Sequence, residues 1–458
     1  MTWLLRLYHA LPAPLWPLAA GLRGWRLRRW RYGAETDALA ADAVAREAWT
    51  PPQWDAWRQA KLGALLERAA TRVPYYRDWW CQQGGGPEAW RDLANWPVLE
   101  KETVRRTPAV FLADDCDHRR MFFEHTSGTS GTPVQLWWSR DTVRQWYALF
   151  EARWRRWYGV GRDDRWAILG GQLVVPAARQ RPPFWVWNAP LNQLYLSSQH
   201  LSPATAAAYV AALHRYRVTY LFGYSSALAS LATEITRQGL RPPPLRVVIT
   251  NAEPLLAWQR AGMQAAFACP VRETYGMAEI VTAGGECEYG RMHLWPEVGV
   301  VEVITPDGAA AAAGAIGDLV CTGLVNGDMP LIRYRLGDRG RLGAAAGGDC
   351  PCGRQLPVLA EVEGRCDDVV ITPTGRRLGR LDPVFKGGLP IREAQIIQET
   401  PERLRVLVVP TDGFGPAAAG EIRNRLQARL EPGMVVVVVA VVAIPRTANG
   451  KFRAVVRR

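Results

Sequence analysis

Between residues 166 and 267, short apolar runs alternate with longer segments of helical periodicity, and this alternation narrows the fold more than any other feature. Trp166-Ala167-Ile168-Leu169 reads as a strand, 203–216 as a helix, Val218 to Gly223 as a strand and 225–239 as a helix. After Pro242-Pro243-Pro244 come a strand from Leu245 to Thr250 and a helix around 255–267. Strands and helices in that order close a core as a largely parallel, helix-covered sheet. With 458 residues the chain exceeds what one ordinary core holds, so two or three domains are expected. Residues 36–72 read as helical, with Pro51-Pro52 opening a new helix. Residues 139–157 read as an aromatic-rich helix carrying Trp146, Tyr147, Phe150, Trp154 and Trp157. Beyond about residue 282 the pattern turns to short strands and turns, a small barrel-like part that ends at Gly364-Arg365-Cys366-Asp367-Asp368. The final stretch gives strands at 395–399 and 404–409, a helix at 417–431 and a strand at 435–444. The expected class is therefore α/β in a multidomain α+β chain. Its large region spans 1–366, with a basic-aromatic arm at 1–35, and a small α+β domain spans 367–458.

In parallel α/β sheets ligands gather at the carboxyl ends of strands. Several chemically suggestive segments fall at such ends. Phe222-Gly223-Tyr224-Ser225-Ser226 closes one strand, Asn251-Ala252-Glu253-Pro254 the next, and Glu273-Thr274-Tyr275-Gly276-Met277-Ala278-Glu279 another. An aromatic ring can stack on a purine, and a carboxylate beside phosphates can hold Mg²⁺. Tyr334-Arg335-Leu336-Gly337-Asp338 offers an aspartate able to accept hydrogen bonds from ribose hydroxyls. Upstream, Thr126-Ser127-Gly128-Thr129-Ser130-Gly131-Thr132-Pro133 is rich in hydroxyls and glycine. Such a loop can wrap a phosphate with N–H and O–H donors, although an ordinary surface loop has the same composition. It is not a P-loop, since no lysine follows the second glycine.

Lysine is scarce here. Among 56 basic residues only Lys61, Lys101, Lys386 and Lys451 are lysines. Lys451 sits on the Asn449-Gly450 turn pair near the C-terminus, where a compact point charge differs from a planar arginine fork. The other three are read as incidental. The formal charge of +13 suits an acidic partner such as a nucleotide, coenzyme A or a membrane surface. Eight cysteines in so long a chain do not make a disulfide scaffold. With no secretory signal and no apolar run of about 20 residues, a cytoplasmic setting is expected.

Taken in order, TSGTSGTP, NAEP, YGMAE, YRLGD, GRCDD and PRTANGK resemble the adenylate-forming superfamily of acyl- and aryl-CoA ligases. Val73-Pro74-Tyr75-Tyr76-Arg77 and Trp96-Pro97-Val98-Leu99-Glu100-Lys101 resemble upstream markers of its phenylacetate–CoA ligase branch. The basic segment ending in Arg31-Tyr32-Gly33 is similar to the CapK-like, capsular-polysaccharide subgroup. The resemblance implies that a carboxylate is activated by ATP to an acyl-adenylate with release of pyrophosphate, then transferred to a thiol, by default coenzyme A. It implies that Ser127, Gly128, Thr129, Ser130, Gly131 and Thr132 cradle phosphates. Asn251, Ala252 and Glu253 would line the adenine, with Tyr275, Gly276 and Met277 beside it. Glu279 would bind Mg²⁺, and Asp338 would hold the ribose with Arg365 close by. Lys451 would bridge the attacking carboxylate and the α-phosphate, while Asp367 matches the hinge of a mobile C-terminal domain. One departure stands out: the branch often has glycine where this chain has Asn251. Transfer to a non-CoA acceptor and a non-catalytic nucleotide-binding role both remain open.

Two further constellations stand apart. Cys287 and His293, with Cys350 and Cys352, supply three thiols and an imidazole, a standard closed zinc set, although buried free thiols are common. Similar cysteine pairs occur in the branch resembled. The interleaved segment Leu22 to Tyr32 could lie on an acidic membrane; the preferred reading packs its tryptophans on the body with arginines outward. Trp146, Tyr147 and Tyr224 are candidates for an aromatic acid pocket, though stripes at helical spacing are usually core. No nucleic-acid module is recognised, and a homodimer is left open.

Overall fold

The computed structural model describes residues 3–126, 133–343, 350–365, 370–374, 377–378, 381–385, 389–447 and 452–457. Two helices open the chain, α1 (Trp3–Ala10) and α2 (Trp16–Arg31), followed by helices Ala34–Ala45 and Pro51–Arg72. Pro51 and Pro52 occupy the first helical positions, where no backbone N–H is needed. A hairpin of β1 (Phe122–His125) and β2 (Gln135–Trp138) brackets the hydroxyl-rich loop.

The central sheet is built from β3 (Trp166–Gly170), β4 (Trp185–Asn188), β5 (Gln193–Ser197), β6 (Tyr220–Tyr224), β7 (Val247–Asn251), β8 (Val271–Gly276), β9 (Ala283–Glu286) and β10 (Met292–Leu294). Among the described residues its order is β10-β9-β8-β7-β6-β3-β5-β4. The five inner strands, from β5 to β8, are mutually parallel, and the edges are antiparallel. The alternation in the sequence thus has its expected outcome. Gly223 is required inside this sheet, because a Cβ there would lie 2.3 Å from the Leu169 carbonyl oxygen. Helices Ala206–Arg215, Ser225–Gln238 and Ala257–Phe267 supply the crossovers, and leucines and alanines on their inner faces pack on the strands.

A second, antiparallel sheet follows, made of β11 (Gly299–Ile304), β12 (Gly317–Gly323), β13 (Tyr334–Leu342) and β14 (Leu359–Arg365). Register shifts between Asp318 and Val320, and again along β13, bend it into the half-barrel expected of this stretch. A short hairpin pairs β15 (Val370–Ile371) with β16 (Arg377–Leu378). The last sheet has the order β19-β18-β17-β20, from β17 (Ile391–Thr400), β18 (Arg403–Pro410), β19 (Val435–Ala440) and β20 (Val455–Arg457). It packs on helix Pro416–Gln427 around its own core, including Val406, Ile422 and Leu426. The strand expected at 435–444 stops at Ala440, and the helix expected to 431 stops at Gln427.

The aromatic helix over 139–157 is not one regular helix. It is α-helical over Arg140–Leu149, widens to a π-helix over Phe150–Arg155, and ends as a 3₁₀ turn. The wider turn seats Phe150 and Trp154 against Phe222 of β6 and Trp154 against Trp295.

Candidate functional site

The ends of β6, β7 and β8 meet on one edge, where Tyr224 pairs in register with Asn251 and Thr250 with Glu273. Tyr224 caps helix Ser225–Gln238, so the first amides of that helix face the same edge. The Glu253 carboxylate accepts the Ser226 N–H at 2.9 Å, and the Ser225 hydroxyl donates to the Glu253 carbonyl at 3.1 Å. Ala252 between them has φ +61°, a left-handed conformation that costs a non-glycine residue about 1–2 kcal/mol. Ile280 and Arg333, also near this edge by sequence, are left-handed as well. Strain of this kind gathers where structure is held for function.

The β8 turn brings an aromatic and a carboxylate together. The Tyr275 hydroxyl donates to Asp338 Oδ2 at 2.8 Å, joining the central sheet to β13. Asp338 is also the register partner of Arg365 across β13 and β14. Asn251 Oδ1 is buried without a hydrogen-bond partner among the described residues. A side-chain amide left unsatisfied in a cleft needs a partner, and the amine-bearing edge of an adenine is of the right chemistry.

Glu279 is buried, and its Oε1 accepts from Lys101 Nζ at 2.9 Å and from the Tyr334 hydroxyl at 3.0 Å. The route by which Lys101 arrives is local. Leu99 bridges to Tyr334, with its N–H donated to the Arg333 carbonyl and its carbonyl accepting the Arg335 N–H. Trp96 just before it is fully buried against Tyr76 and Trp80. The Tyr76 hydroxyl donates to the Pro330 carbonyl and accepts the Ile332 N–H. The two upstream markers therefore form a scaffold that fixes Tyr334 and Lys101 against Glu279. Lys101, read from the sequence as incidental, is corrected by this pairing; lysine scarcity was the signal that could have found it.

The C-terminal unit meets the same edge. The Phe452 N–H, one residue after Lys451, donates to Glu253 Oε1 at 2.7 Å. Arg446 pairs with Glu393 at 2.5 Å, and Ser230 of the β6 crossover helix donates to Glu393. Ser127 to Thr132, Asp367 and Lys451 lie outside the described residues, as does the Arg365 side chain.

The aromatic trio is separated. Trp146 is buried against Trp154 and Trp295, and Tyr147 packs on Tyr32 and Phe150 beneath the Arg31 guanidinium. Helical spacing here marks core, so of the three only Tyr224 stands at the strand ends.

Away from this edge, Cys287, His293, Cys350 and Cys352 converge, with all four ligand atoms within 4.8 Å of one another. Main-chain pairing of Leu294 with Pro357 and of His293 with Val358 carries the second cysteine pair to the first. Cys287 Sγ lies 3.7 Å from Cys350 Sγ, and Cys352 Sγ lies 3.4 Å from His293 Nε2. Tetrahedral zinc with bonds of about 2.3 Å to sulfur and 2.0 Å to nitrogen puts these pairs about 3.8 and 3.5 Å apart. A disulfide would need about 2.05 Å, so the sulfurs are unbonded. His293 Nδ1 faces the Leu356 carbonyl at 3.3 Å, which leaves Nε2 as the ligand atom. Burial lowers the His293 pKa and pushes the Cys350 thiol up to about 11. The imidazole is thus neutral and ready to coordinate, whereas the thiol needs a cation to ionise it.

The family described as the CapK C-terminal domain matches residues 370–458. Protein CapK of Staphylococcus aureus is 28% identical over 243 residues, covering 53% of this chain and 52% of CapK. The chain thus matches about half the length of that relative. Phenylacetate–coenzyme A ligase of Pseudomonas putida is 25% identical over 338 residues, covering 69% of this chain and 72% of the ligase. The chain is similar to CapK and to the phenylacetate–coenzyme A ligases. Its fold is that of 2-hydroxyisobutyryl-CoA ligase in the postadenylation state with 2-HIB-AMP, at a TM-score of 0.70 and 22% identity over 90% of this chain and 92% of that one. Against the same ligase in its thioesterification state the TM-score is 0.56, over 90% and 91%.

Proposed function

We propose that this chain activates a carboxylic acid with ATP and passes the acyl group to a thiol, with coenzyme A as the acceptor. The observation that supports the reading is the Phe452–Glu253 hydrogen bond, which brings the residue after Lys451 to the strand edge that carries Asn251, beside the Tyr275–Asp338 pair.

In the first step an oxygen of the acid attacks the α-phosphorus of ATP, the bond to the bridging oxygen breaks, and pyrophosphate leaves. Two anions approach each other there, so a cation aimed at the transition state is worth about 3–4 kcal/mol. Lys451 is the proposed source. Asn251 satisfies its buried amide on the adenine, while Asp338, held by Tyr275, accepts from the ribose. Ser127 to Thr132 hold the outer phosphates with backbone and hydroxyl donors.

Glu279 is the proposed Mg²⁺ residue, since a single buried carboxylate fits an ion that takes its other oxygens from phosphate and water. The ion would neutralise charge on the departing pyrophosphate. A cation on Glu279 would have to share this carboxylate with the Lys101 ammonium, so Lys101 would set how readily Glu279 accepts it. In the second step a thiol sulfur attacks the acyl carbon and AMP leaves. The acceptor needs a path to that carbon, so the C-terminal unit swings away about a hinge at Asp367. Tyr224, at the end of β6, is the proposed wall of the acid pocket. Zinc on Cys287, His293, Cys350 and Cys352 is proposed as structural, because four protein ligands leave no open position.

The test is pyrophosphate release from ATP across a panel of aliphatic and aryl carboxylic acids, with and without coenzyme A. Release above the no-acid blank with at least one acid is expected, with thioester formed only when the thiol is present. The same rate with every acid and with none would refute the reading.

A further inference from the structure

The N-terminal arm shows one face to the protein and another to solvent. Inward, Trp16 is buried, the Tyr8 hydroxyl donates to the Val174 carbonyl at 2.9 Å, and Arg28 donates to the Pro190 carbonyl at 2.9 Å. Gly24 lets α2 lie against β4, since a Cβ there would come within 1.9 Å of Asn188 Oδ1. The arm is therefore seated on the edge of the central sheet, and its outer face is a fixed surface.

That outer face is apolar where a solvated helix would be polar. Leu18, Leu22 and Trp25 are 66%, 75% and 56% exposed. At about 100° per residue they fall, with Arg29, within about 60° of one another and opposite the buried side carrying Gly24. Leu7 and Leu15 are exposed beside them. The preferred sequence reading, with the tryptophans packed inward, is thus corrected at Trp25, which turns outward under the Arg29 guanidinium at 4.8 Å. Arg26 flanks the stripe and is exposed, and no acidic residue precedes Glu35.

We propose that this face seats on an acidic lipid bilayer, lying in the headgroup layer. Leucines enter the acyl boundary, Trp25 takes the interfacial position that amphipathic rings favour, and the arginines meet anionic headgroups. A second copy of the chain is disfavoured, because a symmetric contact would set like-charged arginines against each other. A nucleic acid would use the arginines and leave the leucines in water. No described helix is long and apolar enough to cross a membrane, so the contact is peripheral.

The experiment is co-sedimentation of the full chain with vesicles of equal parts phosphatidylcholine and phosphatidylglycerol, and with phosphatidylcholine alone. Binding to the mixed vesicles should be at least about tenfold stronger than to the neutral ones and should weaken with salt. Leu18→Ser, Leu22→Ser and Trp25→Ser together should lower it by about tenfold or more with an unchanged melting temperature, since all three side chains are exposed. Replacing Arg26 and Arg29 with alanine should sharply reduce the preference for the acidic lipid. No sedimentation with either vesicle would overturn the proposal. So would serine variants that bind vesicles like the parent, or that instead dissolve a dimer or release a bound nucleic acid.

Discussion

Glu253 ties two parts of the molecule to one carboxylate, and removing it should separate the two half-reactions. Its Oε2 takes the Ser226 N–H at the start of a helix, and its Oε1 takes the Phe452 N–H next to Lys451. Only the second bond crosses to the C-terminal unit. A hydrogen bond to a charged group contributes about 1.5–3 kcal/mol, so Glu253→Ala should weaken docking of the lysine turn by about 10- to 150-fold. The Arg446–Glu393–Ser230 contacts remain and keep the loss toward the lower end. With Lys451 in its proposed role, pyrophosphate release in a single turnover should fall by that factor. With the C-terminal unit swinging away as proposed, thioester formation from supplied acyl-adenylate and coenzyme A should hold within about twofold or rise. Glu253 also holds Ser226 and stands beside the proposed adenine position, so nucleotide affinity is measured in the variant and the first-step rate is read at saturating ATP. Equal slowing of both steps, or an unchanged first step, would refute the latch.

Three other outcomes follow from buried groups. Purified protein should carry close to one zinc per chain, and Cys350→Ser should lose it together with thermal stability; thiols alkylated freely in the native protein would contradict this. Lys101→Met leaves the buried Glu279 carboxylate with Tyr334 as its partner among the described residues, at a cost of about 2 kcal/mol given that Lys101 is itself 26% exposed; Lys101→Met with Glu279→Gln should recover most of it in urea unfolding. Burial raises the Glu273 carboxyl from 4.5 to about 7, so the folded chain holds that proton more tightly than the unfolded one. Its contribution is complete below pH 4.5 and is lost as pH rises through about 7, and Glu273→Gln should remove up to about 3 kcal/mol of that decline.

The central sheet was legible because parallel strands buried on both faces leave long apolar runs, as in Tyr220 to Tyr224 and Val247 to Asn251. Helical periodicity also placed the crossovers to within a few residues. What it could not give was the depth of each aromatic. Trp146, Tyr147 and Tyr224 look alike in sequence, yet the π-helical turn at Phe150–Arg155 draws the helix onto the sheet and leaves Tyr224 alone at the strand ends. The Cys287, His293, Cys350 and Cys352 cluster was legible because its chemistry is carried by residue type. Its convergence rests on backbone pairing between His293 and Val358, which no local pattern encodes. The arm was misjudged at Trp25 because interleaved arginine and tryptophan fit either face of a helix. The small Gly24 contact with Asn188 decides which face turns in.

Lys101 shows why rarity can be informative before geometry is known. Arginine carries almost every other positive charge in this chain, including the buried Arg153 and Arg155. A guanidinium at Lys101 would bring a planar fork with five donors to a carboxylate oxygen already shared with the Tyr334 hydroxyl. Such a fork grips a carboxylate in two places and would hold Glu279 against any second cation. An ammonium makes one contact of 2.9 Å and can withdraw along its flexible stem. With Glu279 in its proposed Mg²⁺ role, the lysine would keep the carboxylate compensated before the ion arrives and leave it exchangeable. An arginine at that position would stabilise the fold at least as well and impair the chemistry, and that split is what separates a functional lysine from an incidental one.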